Sequence, residues 1–404
     1  MLTLDKIYQA AFTLKAVARR TDLLRADNLP GEAEIYLKSE NLQVTGSFKV
    51  RGAYNKIASL TPEQRQAGIL ACSAGNHAQG VALAATRMGI RSVVCMPDGA
   101  PISKVEATKR LGAEVVLVKG GYDDAHAYAV ELQKKTGATF IHPFNDELVI
   151  AGQGTIGLEI LDQLPDVDAV LVPVGGGGLI SGVACAVKNL NPNVKVYGVQ
   201  AAGAPSMAHS QRDGRIVTLD SASTFADGIA VKTPGDLTFA MTQKYVDGIV
   251  TVSEDETAAA ILALIERQKL IAEGAGAVSV AAAIFNKLPL AGKKTVCIVS
   301  GGNIDVNILS RVITRGLVMG GRNSVLQIAL EDKPGQLLGV SEIISRCGGN
   351  VVSVHHERSD ANMAISSCFL KIGMETRDFA QIKTIKDELT RAGFHIVTDR
   401  IQES

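Results

Sequence analysis

The sequence predicts an α/β protein with two parallel-sheet lobes, followed by a small βαββαβ domain. Between residues 66 and 320, short apolar runs alternate with longer amphipathic stretches, as in parallel sheets covered by helices on both faces. After residue 320 the pattern changes to half-buried strands and two helices. A chain of 404 residues is also too long for one ordinary core. We therefore expect domains at 1–320, with a smaller lobe at about 41–145, and at 321–404.

Six apolar runs predict the strands of the first domain. In chain order they are 68–73, 92–96, 114–118, 169–173, 195–199 and 295–299. Helical patterns follow the first three of them, at 75–88, 97–112 and 123–136. Ligands of open parallel sheets bind at the carboxyl ends of the strands, so the loops after these runs are the expected place for a site.

The second domain has the ferredoxin-like order of elements. A strand at 324–330 is followed by a helix from about 332 to 346, with Pro334 near its first turn. Strands at 350–358 and 363–372 are joined by a polar turn at 359–362. A helix at 375–391 and a last strand at 395–398 complete the βαββαβ order.

Composition and charge exclude several classes of protein. The chain has 41 basic and 41 acidic residues, so its net charge favours neither nucleic acid nor an anionic membrane as partner. Its six cysteines are scattered without a CxxC pair, which predicts reduced thiols, and no metal site is expected. Neither a signal peptide nor a run of roughly 20 apolar residues is apparent, so we expect a cytoplasmic protein that binds small molecules.

Lys49 is the first candidate for chemistry. It lies between Phe48 and Val50, with glycines at 46 and 52. An apolar environment lowers the pKa of a lysine, and the neutral amine can then form a Schiff base with a carbonyl compound. The alternative is a solvent-exposed lysine on a helix, which describes most lysines.

A second candidate is the turn at 73–77, where a strand ends and a helix begins. Its residues are Ser73, Ala74, Gly75, Asn76 and His77. Free backbone N–H groups at a helix start suit a carboxylate, and an asparagine amide both donates and accepts hydrogen bonds. His77 is a candidate base, although an ordinary strand–helix turn with a structural histidine is the alternative.

A third and a fourth candidate lie at two later strand ends. Four glycines precede a predicted helix, where a backbone without side chains can wrap around a phosphate. This run matches neither the nucleoside-triphosphate nor the dinucleotide motif. The fourth motif, 300–303, begins with a serine hydroxyl. The residues concerned are Gly175, Gly176, Gly177, Gly178, Leu179 and Ser300.

Together, the motifs S-F-K-x-R-G-A, S-A-G-N-H-A-Q-G, G-G-G-G-L and S-G-G-N resemble those of the fold-type II pyridoxal-phosphate enzymes, the tryptophan-synthase-β-like group. Within it the chain resembles the threonine and serine dehydratases, over residues of about 5–320. The resemblance implies that Lys49 binds the aldehyde of pyridoxal 5′-phosphate and Asn76 its 3′-oxygen. Residues 175–179 would bind the phosphate, Ser300 would face the pyridine nitrogen, and the turn at 73–77 would bind the substrate carboxylate.

This resemblance also implies an activity. The expected reaction converts L-threonine to 2-oxobutanoate and ammonia, and L-serine to pyruvate, with Lys49 removing the α-proton. A serine hydroxyl cannot keep the pyridine nitrogen fully protonated as a carboxylate would. The ring is then a weaker electron sink, which favours prompt β-elimination over transamination.

Several alternatives remain open at this point. Serine racemases share the motifs, but similar racemases have a serine where this chain has Ala74, whose methyl group cannot exchange a proton. Gln200 stands where those racemases have an acid of a divalent-metal cluster, so no such metal is expected. A hydroxyaspartate dehydratase and a non-catalytic amino-acid sensor are further alternatives. Glu273 is either a buried acid near the cofactor or a residue favoured by a helix dipole.

The C-terminal domain resembles an ACT domain, a module that binds small effectors such as amino acids. The resemblance rests on the segment 330–337, L-E-D-K-P-G-Q-L. An amino-acid effector and a homo-oligomer, dimer or tetramer, are therefore expected, with a ligand-free dimerisation module as the alternative. His355, His356 and Arg358 lie on its second strand, where they either line an effector site or are simply exposed strand residues. With no CxxC pair or acidic partners nearby, a metal site is not expected there.

Overall fold

The computed structural model describes residues 2–358 and 366–399. The chain divides into two compact units, Met1–Ile308 and Leu309–Ser404. A helix at Val306–Met319 runs across this division and ends just before the domain boundary expected from the sequence.

The first unit contains two sheets. Their strands are β1 (Leu23–Arg25), β2 (Glu34–Lys38), β3 (Ile69–Cys72), β4 (Ser92–Pro97), β5 (Glu114–Val118), β6 (Thr139–Phe140), β7 (Ala169–Pro173), β8 (Lys195–Ala201), β9 (Gly248–Val252) and β10 (Lys294–Ile298). The larger sheet has the order β1-β2-β10-β7-β8-β9, and the smaller one the order β5-β4-β3-β6. All neighbours are parallel except β1 and β2, so the predicted parallel sheets are confirmed.

The helices of the first unit are α1 (Leu4–Leu14), α2 (Lys49–Ala58), α3 (Pro62–Ala67), α4 (Asn76–Arg87), α5 (Ile102–Arg110), α6 (Tyr122–Thr136), α7 (Glu147–Gln163), α8 (Gly178–Leu190), α9 (Ser206–Asp213), α10 (Asp236–Tyr245), α11 (Glu254–Ala263) and α12 (Gly274–Ile284). The helix that runs across the division between the units is α13 (Val306–Met319). Both faces of β3 and β7 are fully buried, which explains why the sequences of these strands are continuous apolar runs. The strands β1 and β2 were missed because one is only three residues long and the other mixes charged and apolar residues.

The second unit is built on an antiparallel sheet. Its strands are β11 (Asn323–Glu331), β12 (Asn350–Glu357), β13 (Ser367–Glu375) and β14 (His395–Asp399), in the order β12-β13-β11-β14. The helices α14 (Gln336–Arg346) and α15 (Phe379–Arg391) lie between strands in sequence. The core is formed by the helix-facing residues of β11 and β13, such as Ile328 and Leu370. The ferredoxin-like order is confirmed.

Two details of this unit differ from the sequence prediction. The last helix begins at Phe379 and not at 375, because Glu375 still pairs with Asn323 in the sheet and the Asp378 side chain accepts a hydrogen bond from Gln381 N–H. The third strand begins at Ser367, and the polar turn predicted at 359–362 lies outside the described residues. None of the helices in the described part of the chain has the length and hydrophobicity needed to cross a bilayer.

Candidate active site

The loop that carries Lys49 is held by the end of strand β10. Ser47 and Gly301 form an isolated antiparallel bridge, and Phe48 N–H donates to Ser300 O at 3.1 Å. Lys49 follows at once as the first residue of α2. The lysine motif and the serine motif, about 250 residues apart in sequence, are therefore one structural element.

The Lys49 amine is enclosed by polar main chain and aromatic surface. Its Nζ donates to Pro143 O at 3.0 Å and lies 5.4 Å from the centroid of the Phe48 ring. Burial lowers the pKa of Lys49 to about 8, although the Glu273 carboxylate acts in the opposite direction. A substantial fraction of this amine is therefore neutral near physiological pH, as a nucleophile or general base requires.

Asn76 is oriented by a partner on each side of its amide. Its Nδ2 donates to Glu273 Oε1 at 2.6 Å, and its Oδ1 accepts from Asn303 Nδ2 at 2.8 Å. Asn303 Nδ2 also donates to Thr45 O at 2.8 Å, which fixes the donor itself. The orientation of the Asn76 amide is thereby assigned, because the Asn303 amide nitrogen can only donate and must face the Asn76 oxygen.

Glu273 is a buried acid that also lies at the N-terminus of α12, so both features considered from the sequence are present. It is the N-cap residue of α12, but its carboxylate makes no capping hydrogen bond and instead binds Asn76. Only 5% of Glu273 is exposed. Burial, with a further contribution from Asp227, raises the pKa of Glu273 to about 7.

The glycine run is a turn in which side chains do not fit. Gly177 has φ +94°, which favours glycine, and a Cβ there would lie 2.5 Å from Met207 Cε. A Cβ on Gly176 would lie 2.5 Å from the Phe144 ring, and one on Gly178 2.9 Å from Phe144 Cα. The bare backbone of this turn is therefore a packing requirement as well as a means of approaching a ligand.

The same turn presents main-chain donors at the start of α8. Gly178 and Leu179 begin this helix, so their N–H groups have no partner within it. Thr238 Oγ1 donates to Gly176 O at 2.6 Å and thereby fixes the direction of the turn. A helix start with free N–H groups and no obstructing side chains fits a phosphate.

The segment 142–145 was missed by the sequence analysis, although it contacts both the lysine and the glycine turn. Pro143 O accepts from Lys49, and Phe144 packs on the glycines. His142 Nδ1 accepts from Asn145 N–H at 2.8 Å, and burial lowers the pKa of His142 to about 4, so that its ring is neutral. Its position could have indicated a role in the site, because this segment follows the carboxyl end of the two-residue strand β6.

The turn at 73–77 leads into the free end of α4. Gly75 N–H donates to Ser73 Oγ at 3.1 Å, and a Cβ on Gly75 would meet nothing within 4 Å. The His77 ring is 2% exposed and lies 2.8 Å from Ile141 O, and burial lowers its pKa to about 3. The ring is thus neutral and bound to the main chain, so His77 can serve a ligand through its backbone N–H in the first turn.

Two buried hydroxyls lie where β10 meets the lysine loop. Ser300 is 3% exposed, and its Oγ donates to Ala275 O at 3.3 Å, which leaves its lone pairs available. Ser47 Oγ is fully buried and has no hydrogen-bond partner among the described residues. An unsatisfied buried hydroxyl is costly unless a ligand or water completes it. Together with the glycine cradle and the desolvated amine, these groups fit a phosphorylated aldehyde with a polar ring.

A buried charge network supports the first turn of α2. Arg51, which is 1% exposed, donates to both carboxylate oxygens of Glu40 at 2.8 and 2.7 Å. It also donates to both carboxylate oxygens of Glu159, at 2.5 and 3.0 Å. Lys38 Nζ lies 2.6 Å from Glu159 Oε2. Because Arg51 is two residues after Lys49, this network fixes the helix that presents the lysine.

Other residues singled out by sequence lie apart from these contacts. Gln200 is fully buried in β8, and its Oε1 accepts from Ala208 N–H at 2.8 Å. In the second unit, His355, His356 and Arg358 lie at the end of β12, with exposed side chains.

The first unit has the architecture of a two-lobed α/β enzyme that binds a phosphorylated ligand at the carboxyl ends of its strands. Residues 14–301 match the family model described as pyridoxal-phosphate dependent enzyme. The chain belongs to this family, and its cofactor is pyridoxal phosphate.

Similar proteins are known along the whole chain. An L-threonine ammonia-lyase of Thermotoga maritima is 52% identical over 398 residues, which cover 98% of this chain and 99% of that protein. The structure of the processed form of threonine deaminase isoform 2 from Solanum lycopersicum has a TM-score of 0.73 and 42% identity, over 77% of this chain and 93% of that one. A maize serine racemase has a TM-score of 0.74 and 36% identity, over 78% of this chain and 98% of that one.

Proposed function

We propose that this chain is an L-threonine ammonia-lyase that produces 2-oxobutanoate and ammonia, and that also converts L-serine to pyruvate. The observation that carries the proposal is the desolvated amine of Lys49, together with a methyl group at position 74 of the turn proposed to bind the substrate carboxylate. Elimination of the β-hydroxyl requires one base at the α-carbon, whereas racemisation requires a second proton-exchanging group on the opposite face. The end-to-end similarity to a threonine ammonia-lyase supports the same assignment.

Each candidate residue has a distinct role in this proposal. The N–H groups of the turn from Ser73 to His77 bind the substrate carboxylate at the start of α4. With the cofactor bound, the Lys49 amine would hold it and, once freed by the substrate amine, would remove the α-proton at Nζ. The β-hydroxyl would leave as water with one proton, so the α-proton taken up by Nζ balances the proton that the leaving group carries away. Hydrolysis of the released product would consume one water and give ammonia.

The cofactor supplies the electron sink that makes the α-proton acidic. The free N–H groups of Gly178 and Leu179 and the bare turn before them, Gly175 to Gly177, would hold its phosphate. Asn76 would donate or accept at its 3′-oxygen, and the Ser300 hydroxyl would face the ring nitrogen. A neutral hydroxyl there does not hold a full positive charge on the ring, which favours elimination over longer-lived carbanion chemistry.

The test is ketoacid formation from L-threonine and L-serine by purified protein reconstituted with pyridoxal phosphate. We expect 2-oxobutanoate from threonine, pyruvate from serine, and no D-serine. The Lys49→Ala variant is expected to lose turnover and the visible absorbance of the bound cofactor. Lys109→Ala is the matched control, because Lys109 is an exposed lysine that pairs with Glu106 on the surface.

Each outcome has a separate meaning for the proposal. Full activity of Lys49→Ala would refute the assignment of the base. Cofactor absorbance without ketoacid from either substrate would refute the substrate class, and hydroxyaspartates would be tested next. Formation of D-serine by the wild-type protein would favour the alternative function of a serine racemase, which the similarity to the maize enzyme supports. Absence of cofactor absorbance in the wild-type protein would favour a non-catalytic sensor.

The second unit is proposed to be a regulatory ACT domain, and the protein to be a cytoplasmic homo-oligomer. The βαββαβ order and the segment 330–337 support the domain assignment. The six cysteines of the whole chain are all unpaired, which agrees with a reducing compartment. A change of activity on addition of isoleucine or valine would support an amino-acid effector and a place in isoleucine biosynthesis. A response to neither would favour a dimerisation module.

A further inference from the structure

Three chemically different side chains converge at one end of the sheet in the second unit. Cys368 lies on β13, His356 on β12 and Asp332 just after the end of β11. The ring nitrogen of His356 lies 2.9 Å from Cys368 Sγ. One ligand atom from each of the three residues lies within 4.8 Å of the other two. Among the described residues this is the one group of three or more such side chains.

The strand register explains why these residues meet although they are distant in sequence. Cys368 pairs with Leu330, and His356 pairs with Leu370. Side chains two residues apart point to the same face of a sheet, so Cys368 shares a face with Leu370 and hence with His356. Asp332 follows Leu330 by two residues and extends the same row. The strands β12 and β13 thus contribute one ligand each, and the third ligand directly follows the end of β11.

Burial and charge differ across the cluster in a way that suits an ion. Cys368 is 1% exposed at the bottom, whereas Asp332 and His356 are exposed, which leaves an entry path from solvent. Arg358 Nη2 lies 3.0 Å from Asp332 Oδ1 and orients that carboxylate. A carboxylate has a second oxygen, so this ion pair does not occupy its full capacity to bind a cation.

We propose that Asp332, His356 and Cys368 bind a divalent cation of the zinc class. The mixed oxygen, nitrogen and sulfur donor set suits zinc, whereas magnesium and calcium prefer oxygen donors alone. Three protein ligands leave a fourth tetrahedral position for water or another small ligand. The site connects the ends of three strands and is separate from the Lys49 site, so it is independent of the function proposed above.

The test uses the full-length holoenzyme, treated with a chelator and then titrated with Co²⁺ as a spectroscopic probe for zinc. We expect one equivalent per chain and a thiolate-to-cobalt charge-transfer band, measured as a difference spectrum so that the cofactor absorbance cancels. Zn²⁺ should displace the cobalt and abolish the band. Cys368→Ser should remove the band, and His356→Gln should weaken cobalt binding at least tenfold.

Two matched variants distinguish this site from adventitious binding. His355→Gln changes the neighbouring histidine, whose side chain points to the opposite face of the strand. Cys347→Ser changes the other cysteine described in the second unit, which lies outside the cluster. Both should bind cobalt as the wild-type protein does. Absence of the band in the wild-type protein, or equal binding by all four variants, would overturn the proposal. If His356→Gln or Cys368→Ser fails to fold, Asp332→Asn, at an exposed position, must still weaken binding.

Discussion

Replacement of Arg51 by methionine is expected to destabilise the first unit severely. The guanidinium of Arg51 makes two hydrogen bonds each to Glu40 and Glu159, one to Thr155 and one to Arg19 O. Glu40 is 0% exposed, and without Arg51 its one hydrogen-bond donor among the described side chains is Thr21. The variant would leave a carboxylate buried without its counter-ion.

The size of the stability loss follows from the burial of Glu40. Breaking a buried ion pair by removing one partner costs about 3–5 kcal/mol, because the remaining charge stays desolvated. An exposed pair is worth about 0–1 kcal/mol. Arg91 and Glu114 form such a pair, with side chains that are 76% and 53% exposed. Arg91→Met is therefore the matched control. The loss of free energy of unfolding should be several-fold larger for Arg51→Met than for Arg91→Met.

The assay is thermal unfolding followed by circular dichroism, with urea unfolding as a second measurement. At roughly 2 °C per kcal/mol, Arg51→Met should lower the midpoint by about 6–10 °C and Arg91→Met by about 2 °C or less. The double variant with Glu40→Gln should recover part of the loss, since it also removes the uncompensated charge.

The pH dependence of the stability loss in Arg51→Met is an independent test. Although burial alone would raise the pKa of Glu40, Arg51 lowers it below its ordinary value. Without Arg51 that pKa rises, so protonation relieves the unpaired charge as the pH falls. The difference in the free energy of unfolding between wild type and Arg51→Met should therefore narrow as the pH falls through the raised pKa of Glu40 in the variant. A gap that widens at low pH, or equal losses for the two arginine variants, would refute the reasoning.

Three further predictions concern the site itself. In cofactor-free protein, Lys49→Met should raise the free energy of unfolding by up to about 3 kcal/mol at neutral pH, because burial lowers the pKa of Lys49 from 10.5 to about 8. Urea unfolding should show that this gain shrinks as the pH rises from about 8 to 10.5. Gly176→Ala should weaken cofactor binding about tenfold or more in an equilibrium titration, because its Cβ would lie 2.5 Å from the Phe144 ring. Ala74→Ser should gain D-serine formation from L-serine, measured by chiral chromatography, because it adds a hydroxyl that can exchange a proton.

Each of these predictions has a control and a contrary result. For Lys49→Met, the gain in stability falls with rising pH because the lowered lysine pKa makes the unfolded wild-type protein bind more protons than the folded one between the two pKa values. A gain in stability that grows with pH would contradict this prediction. For the second, Gly99→Ala is the control, since nothing lies within 4 Å of its Cβ, and equal affinities would contradict it. For the third, Ala74→Gly adds no proton donor, and D-serine from that variant would contradict the stated role of the hydroxyl.

The fold was predictable where burial imposes a simple pattern. β5 and β7 have the bounds expected from their apolar runs, and the antiparallel β11 was recognised from its alternating residues. The pairing of β2 with β10 was not predictable, because strand order depends on contacts between residues about 250 positions apart. The start of α15 was misplaced because residues 375–378 carry helix-compatible side chains, while the sheet register continues to Glu375.

The candidate site was predictable as a set of motifs but not as a set of partners. The sequence indicated a desolvated Lys49 and a glycine turn, and the structure shows a lowered lysine pKa and a crowded, bare backbone. It did not indicate the segment 142–145 or the Asn303 amide that orients Asn76. Likewise, the residues near His356 were sought close in sequence, whereas the fold brings Asp332 and Cys368 from 24 and 12 positions away.

The position of β2 between β1 and β10 has a consequence for synthesis on the ribosome. β2 is made early, yet its parallel neighbour β10 follows roughly 250 residues later. At about 5–20 residues per second, one edge of β2 stays unpaired for roughly 12–50 s. The same late segment, which includes Ser300, also holds the lysine loop. A nascent chain that ends before residue 294 therefore has both an open sheet edge and an unfinished cofactor pocket, so protection by a chaperone would matter before β10 emerges from the ribosome.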